Sequence, residues 1–410
     1  MFPKKIIIGI CALIFVTTIC FAQDPVERKL DPRLKILYRA QKKEIRMSID
    51  HAKMVVRRLA RLKMKENKQR LILPVLVKYP GDKNRLQAFG LRVQSKVGPF
   101  YSGVLSADRL LEFMKLPGIH YVQLSQQMKA YIDQPQQSAP APFVSRDSLS
   151  SETGDSRDLS GTGVIIGFID TGVDIWHEDF RNGDGTTRIK YLLDFSDPGD
   201  TNGDGELDGS GPYGGTLYNE TEINAALQSS GTVNEVDTTG HGTHGLSIAA
   251  GDDPTYPGLS PAADLIVVKA TREADTLGFW SVDTINALAF IDQKADELAQ
   301  PYVTNLSLGT IFASHDGKSL EEQAIDALVG PGIPGKAIVC AAGNSSNNHG
   351  THYHHFKGTS SVGYVDATNN HTLTVPVYAE NPGKGNDRIM FNIWYEGNDK
   401  NTIRLQGVPL

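Results

Sequence analysis

The stretch "GVIIGFIDTGVD", residues 163–174, decides the fold. Its first part, "GVIIGFID", is apolar almost throughout and ends on a carboxylate, Asp170. Thr171-Gly172 then turns the chain at once. A run without a polar alternation has no wet face, so it reads as a strand buried on both sides. A carboxylate at the carboxyl end of such a strand faces a cleft rather than the core.

The same grammar recurs downstream. "HGTHGLSIAAG" (241–251) starts a helix at His241, and "DLIVVKA" (264–270) is a strand. "SVDTINALAFIDQKADELA" (281–299) is a helix with Val282, Ile285, Leu288, Ile291 and Leu298 on one side. "YVTNLSLG" (302–309) is a strand. "SLEEQAIDALV" (319–329) is a helix with a capping box from Ser319 to Glu322, and "AIVCAAGN" (337–344) is a strand. Short apolar strands alternating with helices predict an α/β domain over 161–370: a parallel sheet with helices on both faces. Its ligand site is expected beyond the carboxyl ends of the strands.

Upstream the grammar differs. Lys4 and Lys5 precede the apolar run "IIIGICALIFVTTIC", and "CFA" precedes Gln23. Residues 1–22 therefore read as a secretory signal peptide cleaved after Ala22, which places the protein outside the cytoplasm. A lipid anchor on Cys20 is the alternative, disfavoured by the bulky Ile19. The run is shorter than the ~20 residues of a membrane-spanning helix. After cleavage Cys340 is the one cysteine left, so no internal disulfide forms. Residues 23–70 read as a basic helical segment, with Leu34, Leu37, Ile45, Ile49, Ala52, Val56, Leu59 and Leu62 at helical spacing. Residues 71–133 read β–β–α–β, a small α+β unit whose last strand is "HYVQLSQQMKAYI". Residues 134–160 open with "QPQQSAPAPF" and read as a linker, where processing would fall. Residues 371–410 hold three short strands between Gly/Asn/Asp turns, the start of a β-sandwich-like module.

Charge is divided along the chain. Residues 23–133 carry 24 Lys+Arg against 10 Asp+Glu; residues 134–410 carry 15 against 37. A basic front half could seek nucleic acid or a membrane surface, or it could dock on the acidic half of its own chain. The rest of the sequence favours docking, so neither a nucleic-acid partner nor a membrane span is expected.

Three residues carry the candidate chemistry. Asp170 can fix the tautomer of a histidine and stabilise its protonated form. His241 sits at a helix start, and Gly240 and Gly242 are expected to clear space around its ring. Asn344 ends a later strand, where an amide can donate to an oxyanion; such a donor is worth about 3 kcal/mol. At these places the sequence resembles the subtilisin-like serine proteases. "IDTGVD" (169–174) resembles that family's aspartate motif and "GHGTHG" (240–245) its histidine motif. "NLSLG" (305–309) resembles its substrate-binding strand and "AAGN" (341–344) its oxyanion asparagine. The resemblance implies that Asp170 orients His241 as general base and that Asn344 binds the oxyanion. It also implies that Ser307, Leu308 and Gly309 pair with a peptide substrate, and that His244 is structural. By position and element order the basic α+β unit is similar to the family's propeptide, an intramolecular inhibitor.

The family's Gly-Thr-Ser-Met-Ala nucleophile stretch has no counterpart here. Ser360, in "KGTSSVGYVD", follows Asn344 too closely and opens no helix. The expectation is an endopeptidase precursor that stops before its serine and is inactive as given. The alternative is a pseudoprotease that keeps the groove and binds peptides. No cofactor is expected for catalysis. Asp200, Asn202, Asp204 and Asp208 have calcium-loop spacing, but Gly211 stands where a twelfth-position glutamate would close the loop. Calcium there is a structural candidate beside the plainer reading of a polar turn. His349, His352, His354 and His355 read as a solvated loop, since no helix holds them at zinc spacing.

Overall fold

A computed structural model describes residues 24–59, 71–130, 160–199, 207–272, 278–310 and 317–343. The expected signal peptide, the linker apart from Ser160, and the β module all lie outside these residues. So do Ser360 and the histidine-rich stretch at 349–355.

The segment read as one basic helix is two: α1 (Pro32–Gln41) and α2 (Ile49–Leu59). The chain leaves α1 through Lys43 at a positive φ of 59° and restarts at Ser48, whose hydroxyl accepts from the amide of His51. That capping serine is a start signal hidden inside an unbroken apolar period. Nor do the helices stand apart. Leu34, Leu37, Ala52 and Val56 are fully buried in one core with Leu73, Val75, Val77, Leu105 and Leu124 of the following sheet.

That sheet comprises β1 (Ile72–Lys78), β2 (Leu91–Val97), β3 (Phe100–Ser106) and β4 (Tyr121–Leu124), in the order β2-β3-β1-β4. Short helices α3 (Lys83–Ala88) and α4 (Leu110–Phe113) join its strands. Leu76, Val97 and Phe100 point the other way, into the core of the second unit. The stretch "HYVQLSQQMKAYI", expected as one strand, divides at Ser125-Gln126. Those two residues bond the start of a helix of the second unit: Val282 N–H donates to Ser125 Oγ at 3.1 Å and Ser281 N–H to the Gln126 carbonyl at 3.0 Å. Beyond that crossing, β5 (Gln127–Ala130) belongs to a different sheet.

The second unit is the expected α/β domain. Its strands are β6 (Ile165–Asp170), β7 (Ile189–Asp194), β8 (Thr216–Asn219), β9 (Asp264–Lys269), β10 (Gly278–Trp280), β11 (Tyr302–Leu306), β12 (Leu308–Gly309) and β13 (Lys336–Cys340). Its helices are α5 (Glu220–Leu227), α6 (His241–Ala250), α7 (Ser281–Leu298) and α8 (Leu320–Leu328). The main sheet runs β13-β11-β6-β9-β7-β8, parallel except for the edge strand β8. Helices α7 and α8 cover one face, and α5 and α6 cover the other. β7, β8 and α5 went unread in the sequence, lying among turn-rich segments. The face prediction for α7 is too narrow. Asp283, Thr284 and Asn286 are also buried: Asp283 takes the Arg272 guanidinium, Thr284 lies against Met128 of β5, and Asn286 faces the first unit's sheet. There Asn286 Nδ2 donates to Gln94 Oε1 at 3.3 Å and its Oδ1 accepts from the Ser102 hydroxyl.

Candidate active site

β6 delivers Asp170 to the carboxyl edge of the sheet, and α6 starts at His241 directly over it. His241 Nδ1–H donates to Asp170 Oδ1 at 2.6 Å. The Thr171 amide donates to the same oxygen at 2.7 Å. Asp170 is fully buried, and its Oδ2 has no hydrogen-bond partner among the described residues. Burial pushes its carboxyl above the ordinary range, and the bond to His241 and the Thr171 amide only partly offset that. With Nδ1 committed to Asp170, the proton-accepting atom of the ring is Nε2.

The two glycines beside His241 have different backbone roles. Gly240 sits at φ +70°, a left-handed helix entry that L side chains rarely adopt. A Cβ on Gly242 would lie 2.7 Å from the backbone nitrogen of Gly172, so this glycine lets α6 approach the Asp170 turn. Gly240 thus provides a left-handed backbone conformation, and Gly242 provides close backbone approach. Gly245 continues the pattern, since a Cβ there would meet the Phe168 ring at 2.8 Å. His244 is exposed on α6, and its backbone N–H completes the helix's first turn by donating to the Gly240 carbonyl at 3.0 Å.

The strand expected to pair with a peptide is interrupted at Ser307, whose hydroxyl accepts from Asn305 Nδ2 at 2.9 Å. Leu306 pairs with Ile169, so Ser307 follows at the level of Asp170. β12 then leaves the sheet and pairs antiparallel with the chain's own β5: Leu308 with Ala130 and Gly309 with Lys129. On its other side β5 pairs with β10, Met128 opposite Phe279 and Gln127 opposite Trp280. A peptide strand therefore lies between β10 and β12 and runs toward the Asp170 edge.

Asn344 lies outside the described residues. β13, which leads to it, runs parallel to β11, and the Ala341 amide bonds the Leu306 carbonyl at 3.0 Å. Asp200, Asn202 and Asp204 also lie outside. Asp208 is described, its amide donating to the Gly199 carbonyl at 2.9 Å. Among the described residues no group of three or more His, Cys, Asp or Glu could hold a metal ion. No described helix is long and apolar enough to cross a membrane.

Sequence reasoning passed over two residues here. Asp237 accepts bonds from both the Asp170 turn and the His241 turn, and Lys269 is buried at the end of β9. A lysine closing the apolar run "LIVV" was the available signal for the second.

A sequence profile of the subtilase family matches residues 161–407. The chain belongs to the subtilase family. It is 31% identical over 195 residues to the PII-type proteinase of Lacticaseibacillus paracasei, covering 46% of this chain and 10% of that protein. It is 22% identical over 250 residues to the cuticle-degrading serine protease of Arthrobotrys oligospora, covering 60% of this chain and 49% of the relative. The solved Clostridium perfringens CspB protease is similar at 31% identity and a TM-score of 0.41, over 48% of this chain and 39% of that one. The chain thus spans between about a tenth and half of the length of the curated relatives it matches.

Proposed function

We propose that this subtilase is the precursor of a secreted serine endopeptidase, exported by residues 1–22 and held inactive by its own residues 24–130. One observation carries the reading: the 2.6 Å bond between His241 Nδ1 and Asp170 at the edge of the parallel sheet. In this reading Nε2 takes the proton of an attacking hydroxyl and returns it to the leaving amine, while Asp170 holds the tautomer and stabilises the imidazolium. Ser307, Leu308 and Gly309 pair with the substrate peptide as an added strand, the place β5 takes in the precursor. Asn344 donates to the oxyanion. The nucleophile is not assigned. Catalysis needs no cofactor, and calcium at 200–208 is a structural ion of the same proposal.

A second reading, a peptide-binding module without catalysis, is supported by the strand β5 already seated between β10 and β12. Peptide hydrolysis by the protein purified from its native source separates the two. The enzyme reading expects hydrolysis that His241→Ala abolishes and Asp170→Asn lowers by about 10⁴. A folded native protein that binds peptides without cleaving them overturns it.

A further inference from the structure

The pair at 170 and 241 is embedded in a second network that the chemistry above leaves unused. Among the described residues, Asp237, four residues before His241, has five donors within hydrogen-bond distance. Its Oδ1 takes the Thr171 hydroxyl at 2.9 Å, the Thr239 hydroxyl at 3.2 Å and the Gly240 amide at 3.1 Å. Its Oδ2 takes the Thr243 amide at 2.8 Å and the Thr243 hydroxyl at 2.7 Å. Thr171 directly follows Asp170, and its hydroxyl oxygen also receives the Gly242 amide at 3.0 Å. One carboxylate thus ties the strand end that carries Asp170 to the helix start that carries His241. Burial works against its ionisation, but the bonds from Thr243, Thr171 and Thr239 outweigh that and hold Asp237 below the usual carboxylate range.

Behind Asp237 the chain is fastened from inside the sheet. Lys269 ends β9, in register with Asp170 on β6 and Asp194 on β7, and it is 1% exposed. Its ammonium donates to the Val236 carbonyl at 2.5 Å and lies 3.4 Å from Glu235 Oε1. A buried ammonium persists where its partners offset its lost hydration. Here the partners are the two residues immediately before Asp237.

We propose that Lys269 and Asp237 are positioning residues for the catalytic pair. Lys269 fixes the 235–236 backbone against the sheet, and Asp237 carries that constraint to Asp170 and His241 together. The proposal rests on the reading of those two residues as catalytic. Its physical basis is that small misplacements of reacting groups are costly, while a single carboxylate bonded to both turns leaves little freedom between them.

A merely structural role would lower stability and leave the Asp170–His241 bond unchanged in whatever protein stays folded. The discriminating readout is the downfield proton resonance of His241 Nδ1–H in the full chain labelled with ¹⁵N-histidine, assigned by its loss in His241→Gln. Circular dichroism verifies folding. In folded Asp237→Asn the resonance is expected to vanish, or its proton to exchange with water at least tenfold faster. Lys269→Met is expected to shift it in the same direction by less. Asp253→Asn, in an exposed turn bonded to the Thr255 and Tyr256 amides, leaves it unchanged. Where Asp237→Asn does not fold, Thr171→Val removes a single hydroxyl of the network and is read the same way. Folded variants at 237 (or 171) and 269 that keep the native resonance and exchange rate overturn the proposal. The resonance reports geometry whether or not the protein cleaves peptides, so this outcome is separable from failure of the enzymatic reading.

Discussion

Ala130 pairs with Leu308 in antiparallel register, so the slot beside Asp170 is filled by the chain's own strand. The neighbouring Met128 turns its side chain toward the second unit's core, its sulfur 3.6 Å from the Thr284 hydroxyl, while Lys129 faces solvent. Period-two alternation thus anchors β5 through Met128 and Ala130, of which Met128 has the larger side chain. Replacing a half-buried methionine by a charge removes about 1–2 kcal/mol of burial and adds a desolvation cost. Met128→Asp is therefore expected to speed amide exchange at Gly278–Trp280 and Leu308–Gly309 by roughly tenfold or more. Amides of α1 stay unchanged. Exchange at those strands unchanged by Met128→Asp would show that Met128 does not anchor β5.

The first unit also caps two helices of the second. Ser125 Oγ accepts from Val282 N–H at the start of α7. Gln123 Oε1 accepts from Leu320 N–H at 2.8 Å at the start of α8, and its Nε2 donates to the buried Glu321 carboxylate. Losing a hydroxyl cap costs about 1 kcal/mol. Losing Gln123 removes a cap and a donor from a buried carboxylate, for about 1–3 kcal/mol. Thermal unfolding is expected to rank Gln123→Ala below Ser125→Ala, and both below the native protein. The reverse order would mean that Gln126, 3.5 Å from Glu321, takes over the lost bond.

Close approach of two turns makes a sharper case. A Cβ on Gly172 would lie 2.2 Å from the Asp237 Cβ, closer than real Cβ contacts come. Gly183 has a negative φ and open space around it. Gly172→Ala is expected to cost about 1–3 kcal/mol through a forced backbone shift. The same shift parts Asp237 from Thr171, so under the proposed enzymatic reading peptide hydrolysis should fall by more than the lost stability accounts for. Gly183→Ala should leave the unfolding midpoint within experimental error. If both substitutions are neutral, the turns are not packed as described.

The parts of this site that were legible in the sequence are those written as local runs. Asp170 closes an apolar strand, and His241 opens a helix between glycines; each can be read within six residues. Asp237 and Lys269 were missed because each is a single ordinary residue whose meaning comes from three strands and a loop converging. β10 was missed because three residues carry no period. The division of "HYVQLSQQMKAYI" was missed because Ser125 and Gln126 bond helix ends more than 150 positions away. Alternation alone shows a strand but not which sheet receives it. The two-sided burial of α7 was hidden for the same reason, since the partners of Asn286 come from β2 and β3.

The remaining prediction concerns Glu235, which faces Lys269 on β9, Asp194 on β7 and Asp237 two residues on. It is fully buried, and neither carboxyl oxygen has a hydrogen-bond partner among the described residues. Burial pushes its carboxyl up from 4.5 to about 8, with Lys269 pulling the other way. A carboxyl whose folded pKa lies above its unfolded value keeps its proton in the native state while the unfolded chain releases it. Its contribution to stability is complete below about pH 4.5. It declines as pH rises, and it is gone once pH passes about 8. Across that window the loss is on the order of a few kcal/mol. Glu235→Gln keeps the shape and removes this titration, so its urea midpoint should fall less from pH 5 to 8 than that of the native protein. A native protein with no such decline would mean that Glu235 stays charged beside Lys269 throughout. Lys269 would then hold the 235–237 segment through an ion pair as well as through the Val236 carbonyl.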